Sequence, residues 1–126
     1  MADPHDLQRF LSAQHGVHEV ALAELKRGRK ASHWMWFVFP QVAGLGLSAM
    51  SQRYAIGSLD EARAYLAHPV LGARLAAGIE AVMAVQGRSA REIFGAPDDR
   101  KFQSCLTLFE RAADTPGRFA AALDRY

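Results

Sequence analysis

His33-Trp34-Met35-Trp36-Phe37-Val38-Phe39-Pro40 is the stretch on which the fold turns. Residues 34–39 are six consecutive apolar side chains, and such a run is either a buried strand or a turn or two of buried helix. Its aromatic and β-branched content favours a strand. Ser32, just ahead, favours a helix N-cap. No other segment reads convincingly as β, so a strand here would lack a partner. The run is therefore read as a short buried helix ended by Pro40, with the strand kept open as the alternative.

Working outward, periodic apolar positions alternate with Gly and Pro stops. Asp3-Pro4 opens a helix faced by Leu7, Phe10, Leu11 and Gln14, and Gly16 ends it. Val17 to Arg27 carries a stripe of Val17, Val20, Ala21 and Leu25, stopped by Gly28. Gly44 to Leu47 reads as a loop, and Ser48 caps a helix through Tyr54. Ser58 and Glu61 form a capping box, and the helix after it buries Leu59, Ala62 and Leu66. Pro69 opens the longest helix, striped by Leu71, Leu75, Ile79, Val82 and Met83 and ended at Gly87. Ser89 and Glu92 form a second box before Ile93-Phe94 and a stop at Gly95. Asp98 caps a helix carrying Phe102, Cys105, Leu106 and Phe109. Pro116-Gly117 breaks it, and Phe119, Ala122 and Leu123 mark a last helix. The sum is an all-α domain of about eight short helices. Helices this short need one shared core, and the aromatic run is its natural centre. No repeat of solenoid length recurs.

Composition agrees. The chain has 126 residues, enough for one domain. The 23 alanines favour helix. Half the residues are hydrophobic, which argues against disorder. A single cysteine excludes an internal disulfide and multi-cysteine metal sites. Mean hydropathy is -0.08, and no apolar run nears the roughly 20 residues of a membrane span. Asp3 and Asp6 stand where a signal peptide would need an apolar region, so the cytoplasm is the expected location and no membrane is implied. The 12 Arg and 3 Lys exceed 13 acids by only two charges, a small surplus that argues against nucleic acid.

Further motifs flank the aromatic run. Gly28-Arg29-Lys30 and Ser32-His33-Trp34 lead into it, and Pro40-Gln41, Gly44-Leu45-Gly46-Leu47-Ser48 and Tyr54-Ala55-Ile56 follow. Downstream come Glu61-Ala62, Tyr65-Leu66, His68-Pro69-Val70-Leu71-Gly72, Ile93-Phe94-Gly95, Asp98-Asp99 and Lys101. Together these closely resemble a small bacterial family known as "domain of unknown function" family 1810. The resemblance spans nearly the whole chain, and His33 to Gln41 is its most specific block. It implies a compact, mainly helical fold and no particular reaction, with members that usually run somewhat past Leu123–Tyr126. Some members are labelled calpastatin-like, for which these residues offer no basis.

Candidate chemistry gathers around the same block. Lys26, Arg27, Arg29 and Lys30 put four cations in five residues. At a helix C-terminus they suit the macrodipole, and they also suit a phosphate or carboxylate. His33, Trp34 and Trp36 follow, as a core nucleus or as a stacking and acid–base surface. Gly44 and Gly46 permit tight turns or close approach of a ligand, and Ser48 opens a helix that could face an anion. Lys101 shares a helix face with Ser104 and stands four residues before Cys105, which falls in the apolar stripe and reads as inert packing. His15 and His18 lack a metal-binding spacing. No Walker loop, nucleophile elbow, metal set or cofactor motif is present.

The leading expectation is a pocket for a small anionic or nucleotide-like ligand. Arg29 and Lys30 would supply charge, and Trp34 or Trp36 a stacking face. His33, Gln41, Tyr54 and Lys101 would supply hydrogen bonds. The alternative is a small hydrolase of ADP-ribose-type N-glycosidic bonds, for which Asp99 is the candidate carboxylate; this is fold-level analogy. A third reading is a non-catalytic interaction module. Whether the chain is an enzyme, and its oligomeric state, stay open at this stage.

Overall fold

The structure is a computed structural model that describes residues 3–46, 48–115 and 117–126. Leu47 of the expected loop and Pro116 of the expected break lie outside the described residues. Nine helices occur among them, one more than the eight expected. These are α1 (Gln8–Gln14), α2 (His18–Lys26), α3 (Met35–Val38), α4 (Ala49–Arg53), α5 (Leu59–Ala67), α6 (Leu71–Ala84), α7 (Ala90–Phe94), α8 (Asp98–Ala112) and α9 (Gly117–Arg125). The middle four residues of the six-residue apolar run are thus helical, in the single turn of α3, with Trp34 and Phe39 flanking it. It stops because Pro40 lacks an N–H and pushes Phe39 out of the helical region, to φ -125° and ψ 74°. The one β-type contact among the described residues is an isolated parallel bridge from Val42 to Ile56.

The aromatic run is the centre of the core. Trp34, Met35, Phe37, Val38 and Phe39 are all buried. The Phe39 ring meets Phe94 and Phe102 edge-on at 5.8 and 5.0 Å and tilts against Trp34 at 6.1 Å. On its far side Phe39 lies against Gly78 of α6, where an added Cβ would come within 3.1 Å of the ring. Around this centre α2 packs on α6, α5 on α6 and α8, and α8 on α9. The last residues clamp α6: Tyr126 Oη donates to Val82 O at 2.9 Å, and Arg125 donates to the carbonyls of Met83 and Val85.

Local signals hold at most boundaries. Ser48, Ser58 and Ser89 each accept from the third amide of the following helix, and the Ser89–Glu92 box is complete. Gly16, Gly28 and Gly95 all take positive φ at helix stops. Asp3 accepts from the amides of Leu7 and Gln8, so it caps the chain's first turn although α1 begins later than expected.

Three faces differ from expectation. Ser32 does not cap α3; its hydroxyl donates to Glu24 instead. In α2 the buried face is Ala21, Glu24 and Leu25, and Val20 is exposed. In α5 Leu59 is exposed while Glu61 is buried. Glu61 does not complete its box with Ser58. It accepts from Gly57 N at 3.1 Å and pairs with Arg9 at 2.8 Å. Arg9 also donates to the carbonyls of Arg53 and Ala55, so it ties α1 to the stretch between α4 and α5. A hydrophobic pattern cannot anticipate a buried ion pair that does the work of a leucine.

Between α5 and α6 the axis turns by 87°. Gly72 allows it: a Cβ there would stand 2.2 Å from the Leu66 carbonyl oxygen. Gly72→Ala should therefore cost about 2 kcal/mol, the scale of overpacking against a backbone atom. Urea denaturation checks this, and a cost near zero would show that the corner can open.

Candidate functional site

The basic turn is organised from beneath by Glu24. The residue is only 3% exposed, and its carboxylate accepts four hydrogen bonds from the segment after Gly28. The amides of Ala31 and Ser32 donate to Oε1 at 2.8 and 2.9 Å, and Trp34 Nε1 donates to the same oxygen at 2.9 Å. Ser32 Oγ donates to Oε2 at 2.5 Å. Burial by itself would raise this carboxyl. The hydrogen bonds to the ionised form outweigh it and pull the pKa down to about 2.

This anchoring splits the aromatic block. Trp34 is turned wholly into the core, where its indole N–H is held by Glu24. Trp36 is partly exposed and faces the start of α8. Lys30 and Lys101 share Asp98, at 2.9 Å on Oδ2 and 3.3 Å on Oδ1. Each lysine also stands over a tryptophan ring at 5.2 Å, Lys30 over Trp34 and Lys101 over Trp36. Lys30 thus links the basic turn to α8, while Arg29 is exposed on the outside of that turn.

A cavity of about 380 Å³ opens at this junction. Trp36, Gln41, Tyr54 and Lys101, all candidates by sequence, line it together with Arg100 and Ser104. Tyr54 is braced by Phe37 and Phe10, with ring centroids 5.4 and 5.9 Å away. The backbone of Gln41 is fixed by the bridge, its carbonyl accepting from Ile56 N at 2.8 Å. Ser51 closes the glycine loop, since a Cβ on Gly46 would come within 2.5 Å of the Ser51 hydroxyl. Among the described residues the Arg100 side chain makes no hydrogen bond or ion pair, so its guanidinium is available.

The other candidates lie elsewhere. Arg29 and His33 are exposed and do not line the cavity, and Trp34 is in the core. Lys30 approaches only through Asp98. Asp99 does not line the cavity either; helical spacing puts it about 140° around α8 from Ser104. Its Oδ1 is buried and accepts no hydrogen bond from a described residue. Cys105 is fully buried, and burial pushes its thiol well above the usual range. No cluster of three metal-binding side chains occurs among the described residues. Ser104 had a signal in sequence, since it shares a face with Lys101 three residues earlier. Arg100 follows from the same face, being four residues before Ser104. Glu24 had none, since a glutamate in a helix next to basic residues reads as a solvent-facing partner for them.

With this geometry in hand, the family model for a protein of unknown function (DUF1810) matches residues 4–126. The chain belongs to the DUF1810 family. A solved DUF1810-like structure is the conserved hypothetical protein Rv1873 from Mycobacterium tuberculosis, with a TM-score of 0.97 and 54% identity. That match covers 98% of this DUF1810 chain and 89% of the solved one. Comparison with curated proteins gives no match. No single helix of the described DUF1810 residues is long and apolar enough to cross a membrane.

Proposed function

We propose that the chain binds a small anionic, nucleotide-like ligand in the Trp36–Lys101 cavity. One observation carries the reading: Trp36, Gln41, Tyr54 and Lys101, scattered over 66 positions of sequence, converge on one cavity beside the available guanidinium of Arg100. Its volume of about 380 Å³ falls within the range of small-molecule sites. Arg100 and Lys101 meet the negative charge, with Arg offering a bidentate fork. Trp36 and Tyr54 supply aromatic walls, and Gln41 and Ser104 supply hydrogen bonds. No carboxylate is among the lining residues, which favours binding over the glycosidic hydrolysis that needs one.

The test is a thermal-shift panel of inorganic phosphate, AMP, ADP, ADP-ribose and dicarboxylates. A ligand at about a hundredfold excess over its Kd stabilises by about 2.7 kcal/mol. We expect at least one probe to raise Tm in the parent chain and in His33→Ala, but not in Trp36→Ala or Lys101→Gln. Lys101→Gln leaves Asp98 its Lys30 partner, so the fold is kept. A rise that survives both cavity substitutions, or no rise with any probe, refutes the reading. Turnover of ADP-ribose would instead favour the hydrolase.

A further inference from the structure

The cavity continues along α8 as a second hollow of about 610 Å³. The two share Val42, Leu45, Arg100 and Ser104 as walls. The second hollow has an apolar lining of Val42, Leu45, Leu59 and Leu108. Of the six large hydrophobic residues exposed among the described residues, three stand here: Val42 at 39%, Leu45 at 58% and Leu59 at 42%. Exposed apolar side chains gathered in one groove mark an interaction site rather than ordinary surface.

Its charge is arranged in a particular way. Arg100 and Arg111 both line it, and no carboxylate does. They are eleven positions apart on the helix, about 16.5 Å along the axis and only about 20° around it, so they stand on one face at opposite ends. Neither has an ion-pair partner among the described residues. Polar groups edge the apolar stretch between them. Thr107 Oγ1 donates to Gln103 O at 2.9 Å and keeps its lone pairs for an incoming N–H.

We propose that this groove docks an extended segment of a partner polypeptide with acidic residues at both ends and apolar residues between. Charge complementarity selects that occupant. An extended chain advances about 3.3 Å per residue with alternate side chains on opposite faces, so two carboxylates four or six residues apart, about 13 or 20 Å, stand on one face and bracket the spacing of the two guanidinium groups. The intervening side chains cover Leu45, Leu59 and Leu108. An amphiphile with one anionic head would satisfy only one arginine. The inference shares Arg100 with the small-ligand reading but is tested apart from it, because Arg111 belongs to the groove alone and Trp36 and Lys101 to the first cavity alone.

Selection from a random heptapeptide phage library against the full chain tests it. Selected sequences should carry Asp or Glu at two positions four or six residues apart with apolar residues between. By fluorescence polarisation, Arg111→Glu should weaken a selected peptide at least about tenfold, equivalent to about 1.4 kcal/mol. Replacing the peptide's matching acid by Lys should restore binding to that variant. Arg111→Glu should leave any small-anion thermal shift unchanged, and failure of that shift leaves the peptide result standing. Selected peptides without an acidic excess would overturn the proposal, as would equal binding to parent and Arg111→Glu. So would dodecanoate filling the groove in both chains alike, or concentration-dependent self-association that Arg111→Glu abolishes.

Discussion

Glu24→Ala should lower stability by about 3–5 kcal/mol, placing it among the most damaging single changes available to this chain. The substitution leaves two amides, a hydroxyl and the Trp34 indole N–H without their acceptor. Hydrogen bonds to a charged group are worth about 1.5–3 kcal/mol each, and some of these donors regain water when the turn loosens. Glu24→Gln should lose somewhat less, because an amide oxygen accepts but its NH₂ faces donors. The pH dependence supplies an independent reading. The folded carboxyl sits at about 2, below its ordinary 4.5, so the folded state favours the ionised form. Its contribution is fully present above pH ~4.5 and is lost as pH falls from there through about 2. That difference corresponds to about 3 kcal/mol at neutral pH. Urea titrations between pH 7 and pH 2 should therefore show a component of acid destabilisation that Glu24→Gln lacks. Parallel pH profiles for the two chains would show that Glu24 is not the anchor.

The second large effect separates the two tryptophans. Trp34→Ala should cost about 3–5 kcal/mol, as expected for removal of a fully buried large aromatic. Trp36→Ala should cost about 1 kcal/mol, because that ring is only partly covered. Trp34→Phe isolates the indole N–H and should cost about 2 kcal/mol. Combined with Glu24→Gln it should be markedly less than additive, since both remove the same 2.9 Å bond. Equal destabilisation by Trp34→Ala and Trp36→Ala would mean that the block does not divide into a core half and a cavity half. Full additivity with Glu24→Gln would remove the bond as the link between them.

Local chemistry explains what was legible. Ser48, Ser58 and Ser89 cap helices and Gly16, Gly28 and Gly95 stop them because caps and positive-φ stops depend on a few neighbouring residues. The buried aromatic run follows from apolar mass in a short chain. The misread faces share another cause. Val20 and Leu59 are exposed because Glu24 and Glu61 take the buried positions, Glu24 held by the turn that follows its own helix and Glu61 by Arg9 of α1. A hydrophobic count gives such carboxylates no reason to be inside.

The candidate site divides in the same way. His33, Trp34 and Arg29 were adjacent to the right residues but do not line the cavity, whereas Gln41, Tyr54 and Lys101 reach it from three separate segments. By itself the sequence determined an all-helical chain, its stops, and an aromatic centre, since each follows from short-range propensity and burial. Only the tertiary structure decided which tryptophan faces the cleft. Trp34 stands just ahead of α3 with non-helical dihedrals and Trp36 lies within its turn, so the two rings leave the backbone in different directions. Glu24 holds the Trp34 indole in the core, and α8 brings Lys101 and Arg100 beside Trp36. The first contact needs the turn after α2 to fold back onto that helix, and the second needs α8, far along the chain, to pack beside α3.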